Sequence, residues 1–165
     1  MKLREYRKED AAVICSWVRD ETTLYEWSAD RIARFPFDAG DLDSHHEHTI
    51  RNERFMPFTF VDDADRPVGH IAIRYPDPED ESMVRFGFVI IDPDLRRRGL
   101  GRMMLDEACR YSKDVLHAER VTLSVFSRNT KALKCYDSAG FRSISKETYT
   151  MPIGVWEAQI LEKEL

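Results

Sequence analysis

The run Arg96-Arg97-Arg98-Gly99-Leu100-Gly101 combines three cations with two glycines, residue types suited to holding an anion. It lies between a strand-like apolar segment, Met83 to Ile91, and a strongly periodic helical one, Gly99 to His117. A chain that leaves a strand and restarts as a helix presents unpaired backbone N–H groups at the helix start. Those donors, with the positive end of the helix dipole, form an anion site. Glycine at 99 and 101 avoids a Cβ that would hold a diphosphate away from the backbone. Met104 occupies the third glycine position of the dinucleotide fingerprint, and no Gly-Lys-Ser/Thr follows to make a Walker-type loop. The competing reading is a plain helix start with surface arginines.

A second polar constellation lies further on. Asn129 precedes Tyr136 by seven residues, two helical turns, so both lie on one helix face. Asn129 is also suited to cap that helix. Tyr136 is open to two readings, a site residue or a core aromatic packed with Ala132 and Leu133. The neighbouring Cys135 has no visible His–Asp partnership to activate it and is read as packing. His45, His46 and His48 lack a carboxylate to complete a recognised ligand set and are read as a polar helix face, with no metal.

These residues need elements to position them. Leu3 to Tyr6 is a short strand, and Glu9-Asp10 opens a helix with Val13, Ile14, Trp17 and Val18 as its apolar face. Residues 20–54 suggest one or two helices, broken near Phe35-Pro36-Phe37. Phe58 to Val61 and Val68 to Tyr75 form a hairpin around the polar turn 62–67. In the strand Met83–Ile91, Val84, Phe86, Phe88 and Ile90 alternate on one face, and the end is apolar on both faces, the pattern of a covered central strand. The helix after the arginines buries Leu100, Met103, Met104, Ala108, Tyr111 and Val115. Val121 to Phe126 is a strand, Thr130 to Ser138 a helix, and Phe141 to Thr150 and Val155 to Leu161 two closing strands. Strands mixed with helices, without repeat or linker, imply one α/β domain over residues 1–165.

Composition narrows the function. A net charge of −5 argues against nucleic-acid binding. The charge is unevenly spread: residues 1–92 carry twelve basic and twenty acidic side chains, residues 93–165 thirteen and ten. The first part thus favours a cationic ligand and the second a phosphate-rich one. No apolar run is long enough to span a bilayer, and the first residues lack the apolar core of a signal peptide. Cys15, Cys109 and Cys135 follow no disulfide or metal spacing, so a cytoplasmic location is expected.

Two segments carry a family resemblance. Val89-Ile90-Ile91-Asp92-Pro93-Asp94-Leu95-Arg96-Arg97-Arg98-Gly99-Leu100-Gly101 resembles the acetyl-CoA motif of the GNAT N-acetyltransferases: an apolar strand, a proline-containing turn, then Gln/Arg-x-x-Gly-x-Gly/Ala opening a helix. Asn129 through Phe141 is similar to the same family's Asn-x-x-Ala-x-x-x-Tyr-x-x-x-Gly-Phe segment. The resemblance implies a mixed, mostly antiparallel sheet of about six or seven strands flanked by helices. It also implies that Arg96, Arg97, Arg98, Gly99, Leu100 and Gly101 hold the pyrophosphate of acetyl-CoA, with Asn129 contributing to the same site. By the same token Val89, Ile90 and Ile91 pair with the pantetheine arm and offer backbone N–H groups to an oxyanion. A strand that splays from its neighbour there would free those main-chain groups.

The reaction so implied is direct transfer of an acetyl group to a primary amine, with Tyr136 as general acid for the CoA thiolate. A thiol of pKa near ~8.5 needs only modest help from a phenol of about 10. Many members place a carboxylate base on a central strand, but Met83–Ile91 and Val121–Phe126 contain none. Glu81, just before the first of these strands, is the candidate base, with a solvated loop acid as its other reading. The departure keeps open an alternative, a non-catalytic acyl-CoA-binding or sensor module of the same fold. The expected partner is a small-molecule or peptide amine, with the acidic first half leaning toward a cationic one. Glu26 and Trp27 fall where the family places its acceptor-facing helices, and the closing strands often support dimers in this family, so a homodimer is possible.

Overall fold

Short alternating apolar runs, separated by capped helices, fold this chain around one sheet. A computed structural model describes residues 1–165. The order of elements is β1 (Lys2–Glu5), α1 (Ala11–Ser16), α2 (Glu21–Ser28), α3 (Ala39–Asn52), β2 (Phe55–Val61), β3 (Pro67–Arg74), β4 (Met83–Ile91), α4 (Leu100–Asp114), β5 (Arg120–Phe126), α5 (Thr130–Ser138), β6 (Arg142–Met151) and β7 (Gly154–Glu164). The strands form one seven-stranded sheet in the order β1-β2-β3-β4-β5-β7-β6. Only β4 and β5 pair in parallel, joined by α4 as crossover. The mixed, mostly antiparallel sheet expected from the sequence is therefore present.

Local chemistry fixes where the helices begin. Asp20 caps α2, its carboxylate accepting from Thr23 N at 2.7 Å. Asp38 and Asp41 cap α3 reciprocally, at 3.0 and 3.1 Å. The break between α2 and α3 contains the Phe35–Pro36 bond, as the sequence suggests. The register of β1 is secured by Asp10, 4% exposed, which accepts from Arg4 at 2.7 and 2.9 Å, Thr59 Oγ1 at 2.7 Å and Arg7 N at 3.0 Å.

The sheet has a core on each face. Under α4 and α5 lie Val84, Phe86, Met104, Leu105, Ala108, Leu123 and Phe141. Under α1, α2 and α3 lie Ile14, Leu24, Trp27, Leu42, Phe55, Phe88 and Ile90. Each fully buried large apolar side chain is worth about 1.5–3 kcal/mol of transfer free energy. Three expected faces are corrected. Val13 is 36% exposed, because α1 turns Ala11 and Ile14 inward. In α4, Met103 and Val115 are 45% and 55% exposed, and Leu105, Cys109 and Ser112 are buried with Leu100, Met104 and Ala108. In β4 the four apolar residues do not share a face: Val84 and Phe86 join one core, Phe88 and Ile90 the other.

A bulge explains that change of face. His70 pairs with Ile90 and Ala72 with Gly87, so β4 supplies one residue more than β3 over this stretch. Phe88 takes φ 52°, a region that disfavours bulky side chains. An extra residue shifts the two-residue alternation by one and flips every side chain beyond it.

Candidate active site

The bulge lies where two strands part. β5 pairs with β4 only from Met83↔Arg120 to Phe86↔Leu123, yet β5 continues against β7 to Phe126↔Ala158. Beyond Phe86, β4 remains joined to β3 alone. The main-chain groups of Phe88 to Ile91 that face β5 thus have no strand partner. Val89 and Ile91 pack toward α4 and α5, while Ile90 turns to the opposite core.

The arginine turn follows directly. Arg97 (φ 63°) and Gly99 (φ 77°) are both left-handed, which curls the backbone before α4. Gly99 is the N-cap of α4 and supplies no side-chain cap, so the first-turn N–H groups from Leu100 onward lack an internal acceptor. Arg96, Arg97 and Arg98 are exposed and none forms an ion pair, although Arg96 Nε reaches Ile91 O at 3.4 Å. The two glycines differ in purpose. A Cβ on Gly99 would meet nothing within 4 Å, whereas one on Gly101 would lie 3.1 Å from Cys135 Sγ. Gly101 is small for the contact between α4 and α5, and Gly99 permits the left-handed turn before α4.

Tyr136 sits on α5, 7% exposed, packed edge-on against Phe141 at 6.0 Å. Burial raises its pKa and no protein group hydrogen-bonds its hydroxyl, so the phenol stays protonated at neutral pH. Of the two sequence readings, the core aromatic holds for the ring. Asn129 caps α5, its side chain accepting from Ala132 N at 3.1 Å. Burial also pushes the Cys135 thiol up, against the direction a nucleophile needs.

On the opposite face of the sheet, a cavity of about 230 Å³ opens at the parting strands. Its walls come from α2 and the loop after it (Glu26, Trp27, Arg31), β3 (Ala72, Arg74), β4 (Arg85, Gly87, Phe88) and β5 (Ser124, Phe126). A Cβ on Gly87 would meet no atom within 4 Å, so the cavity floor is open there. Glu26 is half-buried, and burial raises its carboxyl pKa against the opposing pull of Arg128, 3.6 Å away, and Arg96. Sequence reasoning placed Glu26 at the acceptor side but gave it no role; half-burial of a carboxylate is invisible in a short helix of weak periodicity. Glu81 lies elsewhere. It is an exposed loop residue held by Arg54 at 2.8 Å and does not line the cavity.

The histidines are corrected as well. His46 is 1% and His70 0% exposed, their rings stacked at 5.2 Å, because α3 packs on β3 at this point. Burial lowers their pKa values to about 2 and about 4, so both are neutral. Only His48 is solvent-exposed as a polar helix face would require, and no group of three ligand side chains is assembled.

The sheet thus parts at a bulge, with an uncapped helix start and exposed arginines on one side and a cavity on the other. The fold is shared with a spermidine N-acetyltransferase from Vibrio cholerae solved with CoA and spermine: TM-score 0.81 over 99% of this chain and 94% of that one, at 17% identity. A chimeric form of that enzyme gives a TM-score of 0.79 over 99% and 96% of the two chains, also at 17% identity. Among curated proteins, a UPF0039 protein of Schizosaccharomyces pombe is 32% identical over 103 residues, 56% of this chain and 67% of that protein. An N-acetyltransferase 9-like protein of Nematostella vectensis is 30% identical over 78 residues, 47% of this chain and 39% of that protein. The acetyltransferase (GNAT) family matches residues 14–141, and the chain belongs to that family. It is an N-acetyltransferase. No helix is long and apolar enough to cross a membrane.

Proposed function

We propose that the protein moves the acetyl group of acetyl-CoA to a primary amine held in the cavity between α2 and the parted strands. The observation that carries this reading is the gap between β4 and β5, which joins the arginine turn on one face of the sheet to that cavity on the other. The residues fit CoA: exposed unpaired arginines, an N-terminus without a side-chain cap, and a strand edge without a partner. Arg96, Arg97, Arg98, Gly99, Leu100 and Gly101 hold the diphosphate, with Asn129 beside them. The free edge of Val89, Ile90 and Ile91 aligns the pantetheine arm. Bound acetyl-CoA supplies an activated thioester.

The chain's own residues manage the protons. Glu26, its basicity raised by burial, accepts the proton that the acceptor ammonium must lose before it can attack. This role passes to Glu26 from Glu81, whose carboxylate is occupied by Arg54 outside the cavity. Tyr136 holds its proton at neutral pH and gives it to the departing thiolate. The backbone N–H groups at the bulge are fixed in place by packing and cost no reorganisation when charge develops near them.

CoA release measured with a thiol reagent, across a panel of amines that includes spermidine, tests the reading. Amine-stimulated release is expected, with kcat falling about a hundredfold in Tyr136→Phe while acetyl-CoA binding is kept. Binding of acetyl-CoA with no amine-dependent release from any acceptor would favour the non-catalytic module instead.

A further inference from the structure

The cavity has an unexpected charge. Three guanidiniums line it, from Arg31, Arg74 and Arg85. Arg74 on β3 and Arg85 on β4 are direct cross-strand partners. Like charges in that position are destabilising, and no ion pair relieves them. Arg85 has only a 3.4 Å contact with Thr122 Oγ1, and neither Arg74 nor Arg31 hydrogen-bonds any side chain. Glu53 offsets part of the field at Arg74 without forming an ion pair. Burial, with Arg31 and Arg85 close by, lowers the Arg74 pKa to about 10.

The pattern over the molecule is selective. Most arginines are paired with carboxylates. Those without a partner are Arg34, the three of the anion turn, and the three of this cavity. Unpaired arginines thus gather in two places, and in the first an anion is the expected occupant. The cavity's own carboxylates do not cancel the second group: Glu26 faces Arg128, and Asp30 is exposed at the rim. Arg85 stands two residues from Gly87, about 7 Å along the strand, so it lies on the last stretch of β4 that still pairs with β5.

Resting on the transferase reading, we propose that this site selects a primary amine that also carries a carboxylate, the amine directed to Glu26 and the carboxylate held by Arg74, Arg85 and Arg31. A polycation such as spermidine meets three like charges there. The acceptor preference is thus the reverse of that suggested by the acidic first half of the sequence, whose carboxylates, apart from Asp30 at the rim, are engaged in ion pairs or lie outside the cavity.

The test is a matched series of acceptors with the same chain and different ends: 5-aminopentanoate, cadaverine and pentylamine. Charge-assisted hydrogen bonds to a carboxylate predict that kcat/KM for 5-aminopentanoate exceeds that for pentylamine by roughly tenfold to a hundredfold. Cadaverine should be used worst. Arg74→Gln should erase most of the preference, and Arg74→Glu should turn it toward cadaverine, with acetyl-CoA binding confirming that each variant is folded. Equal or better use of cadaverine or pentylamine by the wild type overturns the inference while leaving acetyl transfer intact. If none of the three is acetylated although acetyl-CoA binds, the transfer reading fails for small amines and the anion site is judged separately. Glutarate should then raise the melting temperature of the wild type and not of Arg74→Gln, and the absence of that rise overturns the site too.

Discussion

Replacing Arg74 by glutamine should make the ligand-free protein more stable, although it deletes a half-buried side chain in the middle of the sheet. Arg74 faces Arg85 across β3 and β4, with Arg31 lining the same cavity, and it has no ion-pair partner. Its pKa of about 10 means that the folded state disfavours its charged form. Taken at face value, a drop of that size from the ordinary arginine range is on the order of 3 kcal/mol. The side chain keeps part of its solvent contact, and screening reduces such terms heavily. The cross-strand like-charge scale is roughly 0.2–1 kcal/mol. A net gain of about 1 kcal/mol is therefore expected, since glutamine retains most of the aliphatic stem. For a chain of this length, that corresponds to a melting temperature higher by about 2–4 °C. Thermal and urea unfolding of wild type, Arg74→Gln, Arg85→Gln and the double variant measure it. The two single gains should not add, because either change removes the same repulsion. As a control, Arg54→Gln should lose stability, since Arg54 stacks on Tyr75 at 3.8 Å and pairs with Glu81 at 2.8 Å. An Arg74→Gln protein that unfolds more easily than wild type would mean that the guanidinium is already satisfied, and the acceptor-site reasoning would fall with it.

Three further outcomes follow from other parts of the molecule. Glu26→Gln should remove the acid limb of the kcat/KM profile, a limb that in the wild type lies above the ordinary carboxylate range because burial raises this group; a limb that persists in the variant assigns the base elsewhere. Gly87→Leu should fill the open cavity floor and raise the acceptor KM severalfold or more, while acetyl-CoA binding, measured directly, stays within about twofold; equal losses for both substrates would place the cavity on the CoA path instead. Asp10→Asn should cost about 1.5–3 kcal/mol at pH 7 by removing the charge-assisted bonds to buried Arg4, whose other carboxylate partner, Asp65 at 3.1 Å, remains. Burial alone would raise the Asp10 pKa, but Arg4, Thr59 and the Arg7 N–H outweigh it and hold the carboxyl below its ordinary value. Its stabilisation is thus complete above the unfolded carboxylate pKa and lost as pH falls through the folded one. The gap between wild type and variant in urea midpoints should therefore narrow below about pH 4, and a pH-independent gap would rule out this origin.

Much of the scaffold is legible in the sequence because local signals and the fold agree. The span of β4 and that of α5 follow from an apolar run ended by Asp92-Pro93 and from a capping Asn129. The arginine turn is legible for the same reason, since glycine and charge mark it without reference to distant residues. Elsewhere the deciding partner is remote. His46 reads as a polar helix residue until α3 lies on β3, where His70 and Phe55 surround it. Glu81 precedes the central strand and invites a catalytic reading, but Arg54, across the sheet edge from it, holds it away from the cavity. Glu26 carries no mark in its own helix, and its basicity arises only when α2 packs against β4 and buries it, against the opposing pull of Arg128. Arg74 and Arg85 are unremarkable strand residues until their register makes them opposites.

One residue explains why the site lies where it does. A regular β4 would place Phe88 and Ile90 on the same side as Val84 and Phe86, and β5 would have an unbroken edge to follow. The bulge at Phe88 prevents both. Its ring is 4% exposed and lies 5.1 Å from Trp27 and 5.1 Å from His45, so packing from α2 and α3 holds a left-handed backbone that costs on the order of 1–3 kcal/mol. Of these helices, α2 also walls the cavity, through Glu26 and Trp27. The strain and the cavity therefore go together: α2 and α3 hold Phe88 across the sheet, β4 turns from β5, and the edge left open is the one that the proposed binding of acetyl-CoA uses.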